Sequence, residues 1–154
     1  MSPKPISFII ITYNRVDDTL ALLKNICTLN KATELLEEVI VLNNASADDY
    51  TTVKKFISEN TEIPFKYFDA PENLGVTRGR NYALQFAKGE ICIFLDDDAE
   101  LQNKDALENV IDGFNDNGVD SREVAIISFK VLYFDTLEMQ VNALPHKKFE
   151  KYKS

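Results

Sequence analysis

The run Ile6-Ser7-Phe8-Ile9-Ile10-Ile11-Thr12 is apolar or β-branched at almost every position, so a strand built from it must be covered on both faces. Strands of that kind lie inside parallel sheets, with helices packed above and below. The pattern recurs along the chain. Glu38 to Leu42 reads as a second buried strand, Phe65 to Phe68 as a shorter third after Pro64, Ile91 to Leu95 as a fourth, and Val124 to Phe134 as a fifth. Helical periodicity fills the intervals. Val16, Leu20, Leu23 and Cys27 form one stripe of a helix over about Arg15 to Leu29, with Asn14 as its cap and Asp17 three residues on. Tyr50, Val53, Phe56 and Ile57 mark a second helix, a third ends at Lys88 before Gly89, and a fourth spans Asn103 to Asn117. Strands alternating with helices predict right-handed crossovers and a mostly parallel sheet with a helical layer on each face.

The chain has 154 residues, 45% of them hydrophobic and 27% charged, which is a single-domain length with enough apolar surface for a real core. Its formal charge of −8 argues against nucleic-acid binding, which relies on Lys and Arg to displace counterions from phosphate. Cys27 and Cys92 fall within apolar patterns with no CxxC spacing, so they read as reduced core residues of a cytoplasmic protein. The apolar N-terminal run is too short for a secretory segment or a membrane span. The lysine-rich tail from Leu144 to Ser154, which carries His146, lacks periodicity and reads as frayed.

The fourth strand ends at once in Asp96-Asp97-Asp98. Three adjacent carboxylates repel one another unless a cation offsets them. Mg2+ and Mn2+ favour hard oxygen ligands and take one or two carboxylates together with phosphate oxygens, so Asp96-x-Asp98 suits a metal-diphosphate site. A solvated acidic turn that caps the next helix explains the same residues. In parallel α/β sheets, ligands sit beyond the carboxyl ends of the strands. That rule gathers three polar loops on one rim: Thr12-Tyr13-Asn14-Arg15, Asn43 to Asp48, and Asp96 to Asp98. Thr12, Tyr13 and the Asn43-Asn44 pair offer a wall and polar edges to a base, since each amide supplies a donor and an acceptor. Gly75 and Gly79 flank a turn into a helix whose Arg80 can reach a diphosphate or the acidic cluster; Arg78 should face solvent.

Four blocks, in order, resemble glycosyltransferase family 2 of the GT-A fold: Ile9 to Arg15, Val39 to Asp48, Asn73 to Asn81, and Phe94 to Ala99. The resemblance implies a GT-A, Rossmann-like three-layer α/β sandwich with a mostly parallel central sheet. It also implies an inverting, metal-dependent transferase that moves sugar from a nucleotide-diphosphate donor (UDP-, dTDP- or GDP-sugar) to a carbohydrate or lipid-linked acceptor, in polysaccharide or glycoconjugate synthesis. Donor-binding residues would be Thr12, Tyr13, Asn14, Arg15, Asn43, Asn44, Arg80, Asp96 and Asp97. Asp98 would bind Mg2+ or Mn2+ directly, Asp97 would lie near the ribose, and Asp96 would hold the loop or reach the ion through water. The chain departs from the family where Ile11 replaces a Pro and where the Asn pair lacks an Asp, which leaves the preference for uracil open.

Residues 1–154 are thus expected to form one nucleotide-sugar-binding domain without the acceptor-binding C-terminal part. The catalytic base is unidentified: Asp135 and Glu138 read as solvated, and His146 as neither catalytic nor metal-binding. The full protein would be cytoplasmic, with peripheral association at the inner membrane compatible with this reading. A non-catalytic nucleotide-sugar-binding module and an aspartyl-phosphate phosphotransferase built on Asp96 are the rival readings. A dinucleotide oxidoreductase is excluded, because Thr12-Tyr13-Asn14-Arg15 contains no glycine.

Overall fold

The computed structural model describes residues 5–115 and 124–140. The chain divides into two compact units, Met1–Asn109 and Val110–Ser154. In the first, the elements run β1 (Ile6–Thr12), α1 (Val16–Cys27), α2 (Ala32–Leu35), β2 (Leu36–Asn43), α3 (Thr51–Glu59), β3 (Phe65–Asp69), α4 (Gly75–Leu84) and β4 (Ile91–Asp96), while α5 (Ala106–Asn115) begins in it. The four strands form one sheet in the order β3-β2-β1-β4, and every pairing is parallel. The predicted α/β architecture is therefore the observed one.

The reason β1 is central lies in its sequence. Ile6, Phe8, Ile9 and Ile10 are all essentially inaccessible, so both faces of the strand are buried and both edges carry ladders. The chain leaves β1 in one direction to build β2 and β3, then returns to place β4 on the other side. The carboxyl ends of β1 and β4 thus border the point where the winding reverses.

Two details correct the sequence reading of α1. Its buried residues are Thr19, Leu22, Leu23 and Ile26, a stripe rotated from Val16-Leu20-Leu23-Cys27. Thr19 is the cause: its hydroxyl donates to the Arg15 carbonyl (2.6 Å) and lies 2.7 Å from the Thr12 hydroxyl, which turns that face inward. Arg15 precedes the helix as its N-cap without a side-chain bond, so Asn14 does not cap it. The third helix is also shorter than its pattern. After Leu84 the amides of Gln85, Phe86 and Ala87 turn back onto the carbonyls three residues earlier, the tightening common at helix ends.

In the second unit the expected strand over Val124–Phe134 does not form among the described residues. An isolated antiparallel bridge joins Leu132 to Met139, closed by Tyr133 and Gln140 amides donating to Glu138 and Val131. Ile126 and Phe134 are more than four-fifths exposed. An apolar run becomes a sheet strand only when a partner edge is supplied, and this one pairs with its own continuation. The expected end of the fourth helix at Asn117 and the 144–154 tail lie outside the described residues.

At the amino edge of the sheet, Glu38 is fully buried. It accepts hydrogen bonds from the Ser7 hydroxyl, from Lys66 Nζ (2.8 Å) and from the Lys88 amide (2.8 Å). Burial pushes its carboxyl pKa up, but the bonds from Lys66, Ser7 and Lys88 outweigh that and hold it below the ordinary value. Next to it, the Gly89 amide donates to Ser7 Oγ (2.7 Å). A Cβ on Gly89 would lie 2.6 Å from the Ser7 amide nitrogen, so glycine is required there by the close approach of β1, beyond any part it has in stopping α4.

Two outcomes follow from this edge. Gly89→Ala should cost about 1–3 kcal/mol of stability through overpacking against backbone, read as a lower urea midpoint at unchanged slope. Because the folded pKa of Glu38 is depressed, its contribution is present above the ordinary carboxylate value of 4.5 and fades as pH falls through the folded value. Glu38→Gln should flatten that acid limb in denaturation curves recorded from pH 7 to pH 3.

Candidate functional site

The register of the sheet sets the site. Thr12 pairs with Asn43, Asn43 with Asp69, and Ile11 with Asp96, so the polar ends of all four strands form one row. The row continues into the loops, where the Asn44 amide donates to the Thr12 carbonyl (2.9 Å) and the Ala70 amide to the Asn43 carbonyl (2.8 Å).

Asn14 joins the first loop to the second. It adopts φ +55°, a left-handed conformation that Asn tolerates better than most residues. From there its Oδ1 accepts from the amides of Ala47 (2.8 Å) and Asp48 (3.4 Å), and its own amide donates to Ser46 Oγ (2.9 Å). The Asn pair does comparable work. Asn43 Nδ2 donates to Asp69 (2.9 Å) while its Oδ1 accepts from the Ser46 amide (3.0 Å). Asn44 Nδ2 donates to Asn73 Oδ1 (3.0 Å) and its Oδ1 accepts from the Leu74 amide (2.9 Å). The amide groups expected to face a base are thus engaged in holding loops together, and Asn44 is buried.

Thr12 is also turned inward. Its hydroxyl is buried between Thr19 and the Tyr50 hydroxyl (2.6 Å), and the Tyr50 hydroxyl accepts the Arg15 amide (3.1 Å). Tyr13, by contrast, is 45% exposed and free to line a ligand.

The acidic triplet meets two guanidinium groups. Arg80 Nη2 lies 2.7 Å from Asp96, with its guanidinium carbon 5.8 Å from the Phe94 ring centre. Arg15 Nη1 lies 2.6 Å from Asp98, 3.9 Å from Asp97 and 3.6 Å from Asp18. Asp97 is largely buried. Burial raises its pKa, and the Thr12 hydroxyl, the Arg15 charge and the Tyr13 amide pull it back only in part. Asp98 raises the Arg15 pKa by hydrogen bond and by charge. The anticipated neutralisation of the acids by Arg80 is present, but Arg15 carries as much of it. Arg78, as expected, is outside the cluster, bonding the Leu74 carbonyl (3.1 Å) and approaching Glu72 (3.6 Å).

These distances bear on a metal ion. Among the described residues no three acidic, His or Cys side chains converge as a protein cage, and Asp96 is drawn toward Arg80 rather than toward Asp98. The donor set nevertheless fits Mg2+ or Mn2+ in the form those ions prefer, one exposed carboxylate completed by phosphate and water. A cationic group already stands between Asp97 and Asp98, the position at which their charge converges.

Sequence reasoning missed several contributors. Tyr50 looked like an apolar helix position, yet its hydroxyl ties Thr12 to the start of α1. Thr19, Asn73 and Asp69 were not singled out. Asp69 ends β3 beside Asn43 and 3.2 Å from Lys54 Nζ; burial lifts its pKa, but Asn43 and Lys54 bring it below the ordinary value. The Tyr67 hydroxyl is buried, with no hydrogen-bond partner among the described residues. Strand position alone marks Asp69, and only once the register is known.

Removing the Asn14 side chain tests the clip directly. Asn14→Ala should speed amide exchange at Ala47 and Asp48 by about tenfold, the loss of roughly one hydrogen bond, while exchange at the core amides of β1 stays unchanged.

Comparison with known proteins matches residues 7–147 to the model of glycosyl transferase family 2. An uncharacterized protein of Haemophilus influenzae is 30% identical over 142 residues, covering 92% of this chain and 74% of that protein. Among solved structures, the mannosyltransferase PcManGT from Pyrobaculum calidifontis, in complex with GDP-Man and Mn2+, superposes with a TM-score of 0.65 at 28% identity, over 71% of this chain and 32% of that one. TarS from S. aureus in complex with UDP-GlcNAc shares the fold with a TM-score of 0.64 at 24% identity, over 79% of this chain and 37% of that one. The chain thus spans about a third of the length of these solved transferases.

Proposed function

We propose, because the chain belongs to glycosyl transferase family 2, that its carboxyl-end rim binds a nucleotide-diphosphate sugar and presents it for transfer to an acceptor hydroxyl. The observation that carries this is the pair of guanidinium groups interleaved with three carboxylates at the β1/β4 switch point. A diphosphate needs positive charge close by, and a divalent ion needs at least one hard carboxylate; both are present within one loop cluster. The complex of PcManGT with GDP-Man and Mn2+ supports the same chemistry here.

In this reading Asp98 is the ion's protein ligand, with Asp96 behind it as a water-mediated contact and as the partner that orients Arg80. The bound ion would offset negative charge on the leaving diphosphate as the glycosidic bond breaks. Arg80 and Arg15 supply further positive charge at the same edge. Asp97, largely buried and 3.9 Å from Arg15, faces the ribose. Tyr13 flanks the base, whereas Asn14, Asn43 and Asn44 act by fixing the loops that shape the slot. Asp69, aligned with Asn43 at the end of β3, is the carboxylate on the base side of the row. Displacement at the anomeric carbon with inversion also needs a base to take the acceptor proton, and none of the described residues is assigned that role.

The donor base among uracil, thymine and guanine, the sugar, and an acceptor of carbohydrate or lipid-linked type define the range to be searched, in polysaccharide or glycoconjugate synthesis. A cytoplasmic reaction is the setting we propose, and it is compatible with peripheral association of the full-length protein at the inner membrane. Among the described residues no helix is long and apolar enough to cross a membrane.

Calorimetric titration with UDP, dTDP and GDP, each with and without Mn2+, tests this reading. One nucleotide should bind with an affinity raised about tenfold or more by Mn2+, and Asp98→Ala should remove the metal-dependent part while leaving metal-free binding in place. Absence of binding by all three nucleotides under both conditions would overturn it.

A further inference from the structure

Arg15 occupies a position that a nucleotide-site arginine need not have. Its Nη1 is within 4 Å of three carboxylates: Asp98 at 2.6 Å, Asp18 at 3.6 Å and Asp97 at 3.9 Å. Two of these belong to the loop after β4, and the third to the first turn of α1, only three residues along from Arg15 itself. The backbone of Arg15 is fixed, since its amide donates to the Tyr50 hydroxyl and its carbonyl accepts from Thr19. The side chain is half exposed and free to pivot about that anchor. Asp98 is exposed too, and among the described residues Arg15 is the cation paired with it.

A divalent ion ligated by Asp98 and a guanidinium 2.6 Å from its Oδ2 repel one another across the same carboxylate, so each weakens the other's hold there. We propose that Arg15 is a resident counter-cation which metal entry displaces from Asp98, with Asp18 as the carboxylate that receives it. The inference rests on the reading of Asp98 as the ion's ligand. Its consequence is that the free protein resists metal alone. With Arg15 on Asp98, the carboxylates are neutralised and held in place, so the loop is formed before ligand arrives. An ion arriving with a diphosphate brings negative charge that can also engage the released guanidinium, so metal and nucleotide strengthen each other's binding. Arg15 is in this role a positioning residue that sets the order of binding.

The test measures Mn2+ alone, by the loss of the free-ion paramagnetic resonance signal, on the full chain without nucleotide. Arg15→Gln should tighten Mn2+ binding by about tenfold, since it removes the positive charge that competes for Asp98. It should also shrink the nucleotide-dependent gain in Mn2+ affinity. Asp18→Asn should weaken Mn2+ binding about two- to threefold in the wild type and have no effect in the Arg15→Gln background. Plain loss of a surface charge would act equally in both backgrounds, so an additive double mutant overturns the hand-over to Asp18. Unchanged or weaker Mn2+ binding by Arg15→Gln, in protein whose thermal midpoint matches wild type, overturns the displacement. If Arg15→Gln does not fold, the Asp18→Asn variant still decides: unaltered Mn2+ binding there refutes the mechanism. A wild type that binds neither Mn2+ nor nucleotide instead refutes the function proposed above, whereas nucleotide binding with an indifferent Arg15 refutes this inference alone.

Discussion

Every functional feature depends on β1 being hydrogen-bonded along both edges. A strand flanked by β2 and β4 cannot slip by one residue without reversing which side chains face each helical layer, and with both faces buried such a slip would put Ser7 and Thr12 where Ile6 and Ile11 belong. That constraint fixes the register of both neighbours at once, and β2 carries it on to β3. Thr12, Asn43 and Asp69 end their strands level with one another, and Asp96 ends one step behind. The rim is therefore a consequence of core packing. Its polar groups need no dedicated scaffold beyond the sheet that hydrophobic burial already selects.

The two ends of the sheet treat charge differently, and burial is the reason. At the amino edge Glu38 is wholly enclosed, and all its charge is matched within the protein by Lys66, Ser7 and an amide. A removed partner there would leave a carboxylate without solvent, so that end is rigid by necessity. At the carboxyl rim the pairs Arg15–Asp98 and Arg80–Asp96 are largely exposed. Exposed ion pairs are weak, typically worth about 0–1 kcal/mol, so a ligand can exchange them at low cost. Asp97 stands between the two cases, buried enough to have a raised pKa and yet within reach of Arg15.

Much of this was legible before any coordinates. The β-branched run at Ile6–Thr12 and the alternation after it specify a parallel α/β sheet, because helix and strand periodicities differ and each must bury one face. The acidic triplet and the three rim loops were also identifiable, since strand ends in such sheets converge. What could not be read was direction. The amide groups of Asn43 and Asn44 have the chemistry of a base-binding edge, but whether they face out or tie loops together depends on what the loop after β3 offers. Asn73 and Leu74 offer partners, and the amides turn inward. Thr19 presents the same difficulty: a threonine in an apolar stripe looks tolerated until its hydroxyl is seen holding Thr12 and thereby rotating the helix. The run after Val124 failed for the opposite reason, because strand propensity is realised only against an available edge.

The inward turn of these side chains changes which residues define ligand preference. Groups already saturated by protein partners have little left to give a ligand, so Asn44 can influence selectivity only through the loop it holds. On the proposed function, discrimination among bases then falls to groups with spare capacity at the rim: the exposed ring of Tyr13 and backbone groups of the loops that Asn14 clips together. Asp69 accepts from Asn43 through one oxygen and from Lys54 through the other, and its lowered pKa keeps it ionised and accepting near neutrality. A carboxylate absent from the end of β2 is thus present one strand over, attached through Asn43 to the same row.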